Sequence, residues 1–390
     1  MPAGAGPHMM GGAGHDGIVR REAREEGSDR VAARVSIKDV AALAGVSWKT
    51  VSNVVNDRPV VRPETRARVE RAIDELGYVP NAVGRELRGG STKVLSLVVP
   101  ELTNPYFARL AEQMQVQARR RGLRVSVEVS LGDREVERAH ACGRTARPVD
   151  AVILSPSALT AADLADRRSG PRLVLLGESM AALPDVVHVA IDNVAAAVDV
   201  VRHLVEQGRS RILFLGAEQG ARSTGGERVA GFHAALRFAG LEDDPRLLVP
   251  AARWDETAGH DALAEALAAG LAPDAVLCAN DRLAVGALAA LREAQLSVPE
   301  RVAVTGWDDL PSSAWIDPPL TTVAPDLEAL ISAALDAALA PSAEGAERVV
   351  PHRLLVRTSS RGRTDRSAPI GRNAGGDAPD SHVALSPGIH

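Results

Sequence analysis

Residues 47–56 read SWKTVSNVVN, and their polar members fall on one side of a short helical pattern. Val51 and Val54 share an apolar face, which leaves Trp48, Lys49, Ser52 and Asn53 pointing away from it. An indole on the water side of a small helix is costly unless something covers it. Lys49 can reach a guanine edge or a phosphate. Asn53 can pair bidentately with adenine, a contact that discriminates against the wrong base by about 1–3 kcal/mol. Thr50, Ser52 and Asn56 are short donors suited to phosphate oxygens, which set register on a duplex without reading its sequence. Ser47 has the side chain to cap the helix. The chemistry on offer is recognition of double-stranded DNA by one helical face.

Such a face needs a support. The preceding stretch, SIKDVAALAGV, supplies a second short helix with Val40, Ala44 and Val46 on the inner side. Ala41 stands where the two helices cross, and Gly45 stands at the turn, where a positive φ suits only glycine. Downstream, Pro63 fits a first helical turn, and Val69, Ile73 and Leu76 form one apolar face that ends at Gly77. Tyr78 is expected to pack back, and Asn81 to cap the short segment AVGRELRGG.

From Lys93 onward the pattern changes. Strands are expected at Val94–Val99, Leu123–Val129, Ala151–Leu154, Arg172–Leu176, Val187–Ile191, Arg211–Leu215, Ala275–Ala279 and Val302–Thr305. Amphipathic stretches lie between them. Phe107, Leu110, Ala111, Met114 and Ala118 share one helical face, and Val194, Ala197, Val198, Val201, Leu204 and Val205 share another. Strand–helix alternation of this length predicts two parallel α/β sheets.

Composition sets limits on function. The 390 residues are 45% apolar and 24% charged, an ordinary globular balance. Only ten residues are aromatic, four Trp, four Phe and two Tyr, so the core must rest on Ala, Val and Leu. Phe214, Phe232, Phe238 and Trp315 read as packing residues. Residues 35–90 carry nine Lys/Arg against seven Asp/Glu, and residues 91–390 carry 31 against 38, so a mildly basic module precedes an acidic one. Cys142 and Cys278 form no CxxC or Cys/His cluster, and no metal or other cofactor is expected. EQGARSTGGER is Gly-rich but lacks the Lys-Ser/Thr of a phosphate loop, and no nucleophile elbow or zinc motif stands out, so an enzyme is not expected. With no apolar run of signal-peptide or membrane-span length, a cytoplasmic, nucleoid-associated protein without a membrane partner is expected.

The run DVAALAGVSWKTVSNVVN…RPETRARVERAIDELGYVPNAVGRELR resembles the DNA-binding headpiece of the lactose-repressor (LacI/GalR) family. The likeness continues through TNPYF at 103–107, IDN at 191–193, ERVAGF at 227–232, ANDRLAVGAL at 279–288, VTGWDD at 304–309 and PPLTTV at 318–323, and covers about residues 36–360. It implies a small all-α helix-turn-helix headpiece followed by a two-lobed periplasmic-binding-protein-like domain with Rossmann-like parallel sheets. The expected layout is a disordered arm at 1–34, the headpiece at 35–80, and a hinge helix and linker at 81–92. An effector-binding and dimerisation domain follows at 93–360, with the chain crossing between lobes near 190 and 323, and a disordered tail at 361–390.

The resemblance also assigns roles. Leu87 is expected to enter the minor groove and kink the operator, an apolar wedge that unstacks one base step. Gly84 stands where relatives often have a better helix former, which predicts a hinge helix more dependent on DNA for folding. Asn53 stands where many relatives carry Arg, which shifts the expected base preference away from guanine. In the cleft, Arg228 and Asp308 supply a donor fork and an acceptor pair for vicinal hydroxyls, and Asn280 offers both functions. Trp254 is expected to stack on a sugar face, with Tyr106 and Phe107 as the opposite wall. The alternative readings are Arg228 with Asp308 as a structural ion pair, Trp254 as a cover of the lobe surface, and Phe107 as a core residue. Asp281 is expected to cap a helix. The segment GDREVERAHACGRTARPVD lacks the leucines relatives have there, which predicts looser packing of the first lobe.

The expected function is a repressor that binds a pseudo-palindromic operator as a homodimer under control of a small-molecule effector, a sugar or sugar derivative. The alternatives are a corepressor-dependent regulator answering a non-sugar metabolite, a sugar-binding transport protein, and an architectural DNA binder without a ligand. The headpiece and the missing leader argue against transport. Loss of operator binding on adding a metabolite separates the regulator from the architectural binder.

Overall fold

The computed structural model describes residues 35–55, 58–78, 91–145, 147–165, 167, 170–177, 185–218, 223–340 and 347–361. The chain divides into two compact units, residues 1–84 and 85–390.

In the first unit, α1 (Ile37–Ala44), α2 (Trp48–Val55) and α3 (Pro63–Leu76) enclose a core of their own. α1 starts because the Asp39 carboxylate accepts from the backbone N–H of Ser36 at 2.8 Å and from its hydroxyl at 2.7 Å. These bonds hold the Asp39 carboxyl below its usual value. It stops at Gly45, whose φ of 62° turns the chain toward α2. Val40, Ala41, Ala44, Val51, Val54, Val69 and Ala72 are buried, and Ile73, Leu76 and Tyr78 pack against them. The small side chain of Ala41 sits in this core, as the crossing of two short helices requires.

The second unit holds two six-stranded sheets. In the first lobe, β1 (Val94–Val99), β2 (Arg124–Val129), β3 (Ala151–Leu154), β4 (Arg172–Leu176), β5 (Val186–Ile191) and β11 (Glu347–Val350) lie in the order β11-β5-β4-β3-β1-β2, all parallel. In the second, β6 (Ile212–Leu215), β7 (Leu248–Val249), β8 (Ala275–Cys278), β9 (Ala303–Trp307), β10 (Thr321–Pro325) and β12 (His352–Leu355) lie in the order β12-β10-β9-β8-β6-β7, with β12 antiparallel. α4 (Pro105–Arg120), α5 (Arg134–Ala141), α6 (Ala161–Leu164) and α11 (Leu327–Leu339) serve the first sheet. α7 (Asn193–Glu206), α8 (Thr224–Ala239), α9 (Glu256–Ala268) and α10 (Asp281–Glu293) serve the second. The central strands β1, β3, β4, β6 and β8 are near-continuous buried runs because helices cover both faces, whereas the edge strand β2 alternates polar and apolar residues and stays partly exposed.

The chain passes between lobes after β5 and after β10, and a third time at Pro351, between β11 and β12. That third passage was not among the two expected, because β11 and β12 are four-residue strands separated by one proline. Two aromatics also depart from expectation. Phe214 and Phe232 meet edge to face at 5.5 Å in the core. Phe238 and Trp315, expected to pack, are 96% and 88% exposed. Phe238 lies on the last turn of α8, on its water side, and Trp315 follows a single 3-10 turn at Pro311–Ala314 that turns it outward. In α7, the buried face is Ala196, Ala197, Val200, Val201 and Leu204, and Val194 is exposed.

α9 and α10 approach unusually closely. A Cβ on Gly286 would lie 2.0 Å from the Glu256 carbonyl oxygen, and a Cβ on Gly259 would lie 2.5 Å from the Leu283 carbonyl oxygen. Each helix thus carries a glycine where the other's backbone comes through. Among the described residues, no helix is long and apolar enough to cross a membrane.

Candidate functional site

Two sites emerge, one in each unit. In the first, Ser47 caps α2 as expected: its hydroxyl oxygen accepts from the Thr50 N–H at 3.1 Å and meets the Thr50 hydroxyl at 2.9 Å. Trp48 is 51% exposed, and Ser47 and Lys49 are exposed beside it. Thr50, Ser52 and Asn53 are half-buried between this face and the Val51–Val54 stripe. An exposed indole, a lysine and an amide therefore share one face of a helix fixed by a small core. Asn56, Leu87 and the hinge glycine Gly84 lie outside the described residues.

In the second unit, a cleft of about 660 Å³ lies at the carboxyl ends of the strands, where open α/β sheets place their ligands. All six residues expected there line it: Tyr106, Phe107, Arg228, Trp254, Asn280 and Asp308. Asn104 starts α4 by accepting from the Tyr106 N–H at 3.0 Å, and the Tyr106 and Phe107 rings then meet edge to face at 5.2 Å. Phe107 both lines the cleft and packs against the core.

Arg228 is the centre of the far wall. It is 6% exposed, donates from Nε to Asn193 Oδ1 at 3.1 Å and from Nη1 to the Ala279 carbonyl. Its guanidinium carbon stands 4.1 Å from the Trp307 ring centre and 5.5 Å from that of Trp254. The two indoles hold the fork in one plane through cation–π contact. Trp307 is fully buried, and its indole N–H has no hydrogen-bond partner.

Asp308 follows directly on β9 with a φ of 105°, and Asp309 comes next with a φ of 49°. Consecutive non-glycine residues with positive φ are strained and persist where surroundings over-determine them. Here the loop is held from three sides. Arg109 of α4 donates to the Asp309 carbonyl at 2.9 Å, Arg357 donates to its carboxylate at 2.7 Å, and the Leu310 N–H donates to Asp281 at 2.8 Å. Burial pushes the Asp308 carboxyl up to about 8, against the pull of the Arg228 and Arg109 charges.

Asn280, expected to meet the effector, also takes the capping role expected of Asp281, and Asp281 turns into the core. Asn280 is the cap of α10: its oxygen accepts from the Leu283 N–H at 2.8 Å and its amide donates to the Trp254 carbonyl at 3.1 Å. Its contribution to the cleft is to hold Trp254. Asp281 is fully buried and accepts from Ser313 Oγ at 2.6 Å, Thr322 Oγ1 at 2.6 Å and the Leu310 N–H. Desolvation nonetheless pushes its carboxyl up to about 6. At the mouth of the cleft Arg282 bridges Glu256 at 2.7 Å and, across the lobes, Glu101 at 3.5 Å.

Sequence reasoning did not single out Asn193, Trp307, Arg282, Ser155 or Ser157 as wall residues, although all five line the cleft. Asn193 stands inside the IDN run and Arg282 inside ANDRLAVGAL, so their signal was present. Ser155 and Ser157, in a plain LSPS stretch, gave none. Among the described residues, no group of three or more His, Cys, Asp or Glu could hold a metal ion.

Comparison with known proteins covers both units. Residues 36–81 match the family described as bacterial regulatory proteins, lacI family, and residues 201–360 match the periplasmic binding protein-like domain. The chain is 33% identical over 293 residues to the HTH-type transcriptional repressor CytR of Escherichia coli (strain K12), 74% of this chain and 84% of that protein. A structure of the transcriptional regulator CelR in complex with cellobiose matches with a TM-score of 0.60 and 31% identity, over 84% of this chain and 100% of that one. The lac repressor dimer bound to operator and the anti-inducer ONPF matches with a TM-score of 0.72 and 26% identity, over 84% of this chain and 99% of that one.

Proposed function

This chain belongs to the LacI family of bacterial regulatory proteins, and from that premise we propose that it is a repressor whose hold on a pseudo-palindromic operator is set by a sugar or sugar derivative in the cleft. It is a DNA-binding transcriptional regulator and not an enzyme. The observation that carries the ligand reading is the wall of Arg228 between Trp254 and Trp307 facing Tyr106 and Phe107. The half-buried Trp254 indole can stack on the C–H face of a pyranose ring, with the buried Trp307 behind the guanidinium, while the guanidinium and the Asp308 carboxyl serve neighbouring hydroxyls. Thermal melting with a panel of pyranoses, β-linked disaccharides and nucleosides tests it. At least one pyranose-containing compound should raise the melting temperature and change operator affinity, and a panel without effect would overturn the sugar reading.

The DNA-reading face carries the second prediction. Trp48→Ala and Lys49→Ala should each weaken binding to an operator obtained by site selection by roughly 10- to 100-fold, about 1.4–2.8 kcal/mol. Binding of the panel compound should be unchanged. Fluorescence anisotropy over a salt series should show the Lys49→Ala line with a slope shallower by about one, since one phosphate contact is gone.

One headpiece reads one half-site, so a palindrome calls for two copies. We place the contact on the outer face of α4 and the edge strand β2, where Leu102, Ala108, Ala111, Val116 and Val127 line an open groove together with Glu112, Gln115 and Arg119. Leu102 and Val116 are exposed there. Val116→Asp should shift sedimentation from dimer to monomer. It should weaken binding to the full palindrome far more than to a half-site. An unchanged sedimentation coefficient would place the dimer elsewhere.

A further inference from the structure

α5 has few large apolar side chains, yet the carboxyl group at its middle is sealed from water. Glu137 is fully buried. Its Oε1 accepts from the Ser157 N–H at 3.0 Å, the Ser157 hydroxyl at 2.9 Å and the Ser130 hydroxyl at 3.2 Å. Its Oε2 accepts from the Ala158 N–H at 3.0 Å and the Leu159 N–H at 2.9 Å. Five donors converge on two oxygens, so both oxygens act only as acceptors. A carboxylate is costly to bury unless every lone pair is engaged, and here the engagement is with one loop. Three successive backbone amides are aimed at it, which sets the path of the chain after β3.

That loop faces the ligand. Ser155, Pro156 and Ser157 line the cleft on the first-lobe side. Ser157 has a single hydroxyl proton, and Glu137 takes it. Toward the cleft the Ser157 oxygen is left with lone pairs alone, so it can only accept. A free serine would rotate to suit either a donor or an acceptor on the ligand; this one cannot.

We propose that Glu137 is a positioning residue for effector selection: it shapes the 155–159 loop and makes Ser157 an acceptor, so that the effector must present a hydroxyl or amino donor at that wall. The proposal rests on the reading of the cleft as the effector site. It gives α5 its purpose. The leucines absent from this helix are replaced by one polar clamp, and the first lobe is tied at the point where loose packing was expected.

The test uses the full-length protein and two variants. Glu137→Gln keeps size but sets an amide N–H₂ against backbone donors. Amide hydrogen exchange at Ser157, Ala158 and Leu159 should quicken on the order of 100-fold, with the β-strand amides of both lobes unchanged. Ser157→Ala should leave Ala158 and Leu159 protected as in the wild type. The panel compound that stabilises the wild type should bind both variants at least about 10-fold more weakly. Its deoxyfluoro analogue, at the hydroxyl facing Ser157, should bind wild type weakly but lose nothing further in Ser157→Ala, a coupling that a merely structural role would not produce. Unchanged exchange in Glu137→Gln, or unchanged affinity in Ser157→Ala, overturns the proposal. If Glu137→Gln does not fold, Ser157→Ala and the analogue decide it. If no panel compound binds the wild type, the sugar reading fails, and the exchange result alone decides whether Glu137 positions the loop.

Discussion

Replacing Gly286 by alanine is expected to cost more than about 3 kcal/mol, an unusually large penalty for one methyl group. The added carbon would sit 2.0 Å from the Glu256 carbonyl oxygen and 2.5 Å from the His260 nitrogen. Both are backbone atoms of α9, so no rotamer change relieves the clash and the helices must part. Parting them opens a tightly packed interior, which loses dispersion contacts along the whole interface. Gly240→Ala is the control. That glycine has a φ of 68° and nothing within 4 Å of the added carbon, so only backbone strain of about 1 kcal/mol is expected. Urea unfolding followed by circular dichroism checks the pair. Equal midpoints for the two variants would mean that the α9–α10 contact yields more readily than its geometry implies.

The second large effect concerns Asp308→Asn. The variant should lose its response to the effector, because hydroxyl donors of a bound sugar favour the ionised, two-acceptor form of the Asp308 carboxyl, which an amide with one acceptor and one donor group cannot adopt. It should also change how stability depends on pH. The folded protein holds the Asp308 carboxyl up to about 8 and that of Asp281 up to about 6, whereas an unfolded chain titrates aspartate near about 3.9. Between those values the folded state binds more protons than the unfolded one. Stability therefore falls as pH rises through that window, by at most about 1.4 kcal/mol per pH unit for each group, and levels off above the folded value. The amide does not titrate, so the substitution removes one of the two contributions. The variant should melt above the wild type at pH 8 and close to it at pH 4, measured by differential scanning calorimetry. A wild-type advantage at pH 8 would show that the charge of Asp308 is stabilised in the folded protein.

Much of this arrangement was legible in the sequence, and the reasons for the gaps are physical. Strands such as Val94–Val99 and Ala151–Leu154 announce themselves because both faces are buried and the runs are unbroken. β7, at two residues, and β11 and β12, on either side of Pro351, carry too little pattern to stand out. The six expected cleft residues converge because they follow strand ends, and strand ends of a parallel sheet gather at one edge. What local pattern cannot tell is where two adjacent polar side chains turn. Asn280 turns back onto its own helix, within three residues. Asp281 turns inward to partners 29, 32 and 41 positions later. Glu137 is the same case, since its loop partners lie 20 to 22 residues on and nothing in VER foretells them.

The three passages between lobes also bear on how the protein is made. The first sheet takes β1–β5 from residues 94–191 but closes its outer edge with β11, at residues 347–350. α11, which packs on β3, β4 and β5, arrives only at Leu327. The second sheet waits for β12, at residues 352–355. As the chain leaves the ribosome, the lobe begun first cannot be finished until nearly all of the other has been synthesised, and both gain their last strand within nine residues of each other, 347–355. A nascent chain halted near residue 325 would expose the apolar bed of α11 in one lobe and an unpaired strand edge in the other. Neither lobe is a contiguous piece of the gene, so the two are completed together in time.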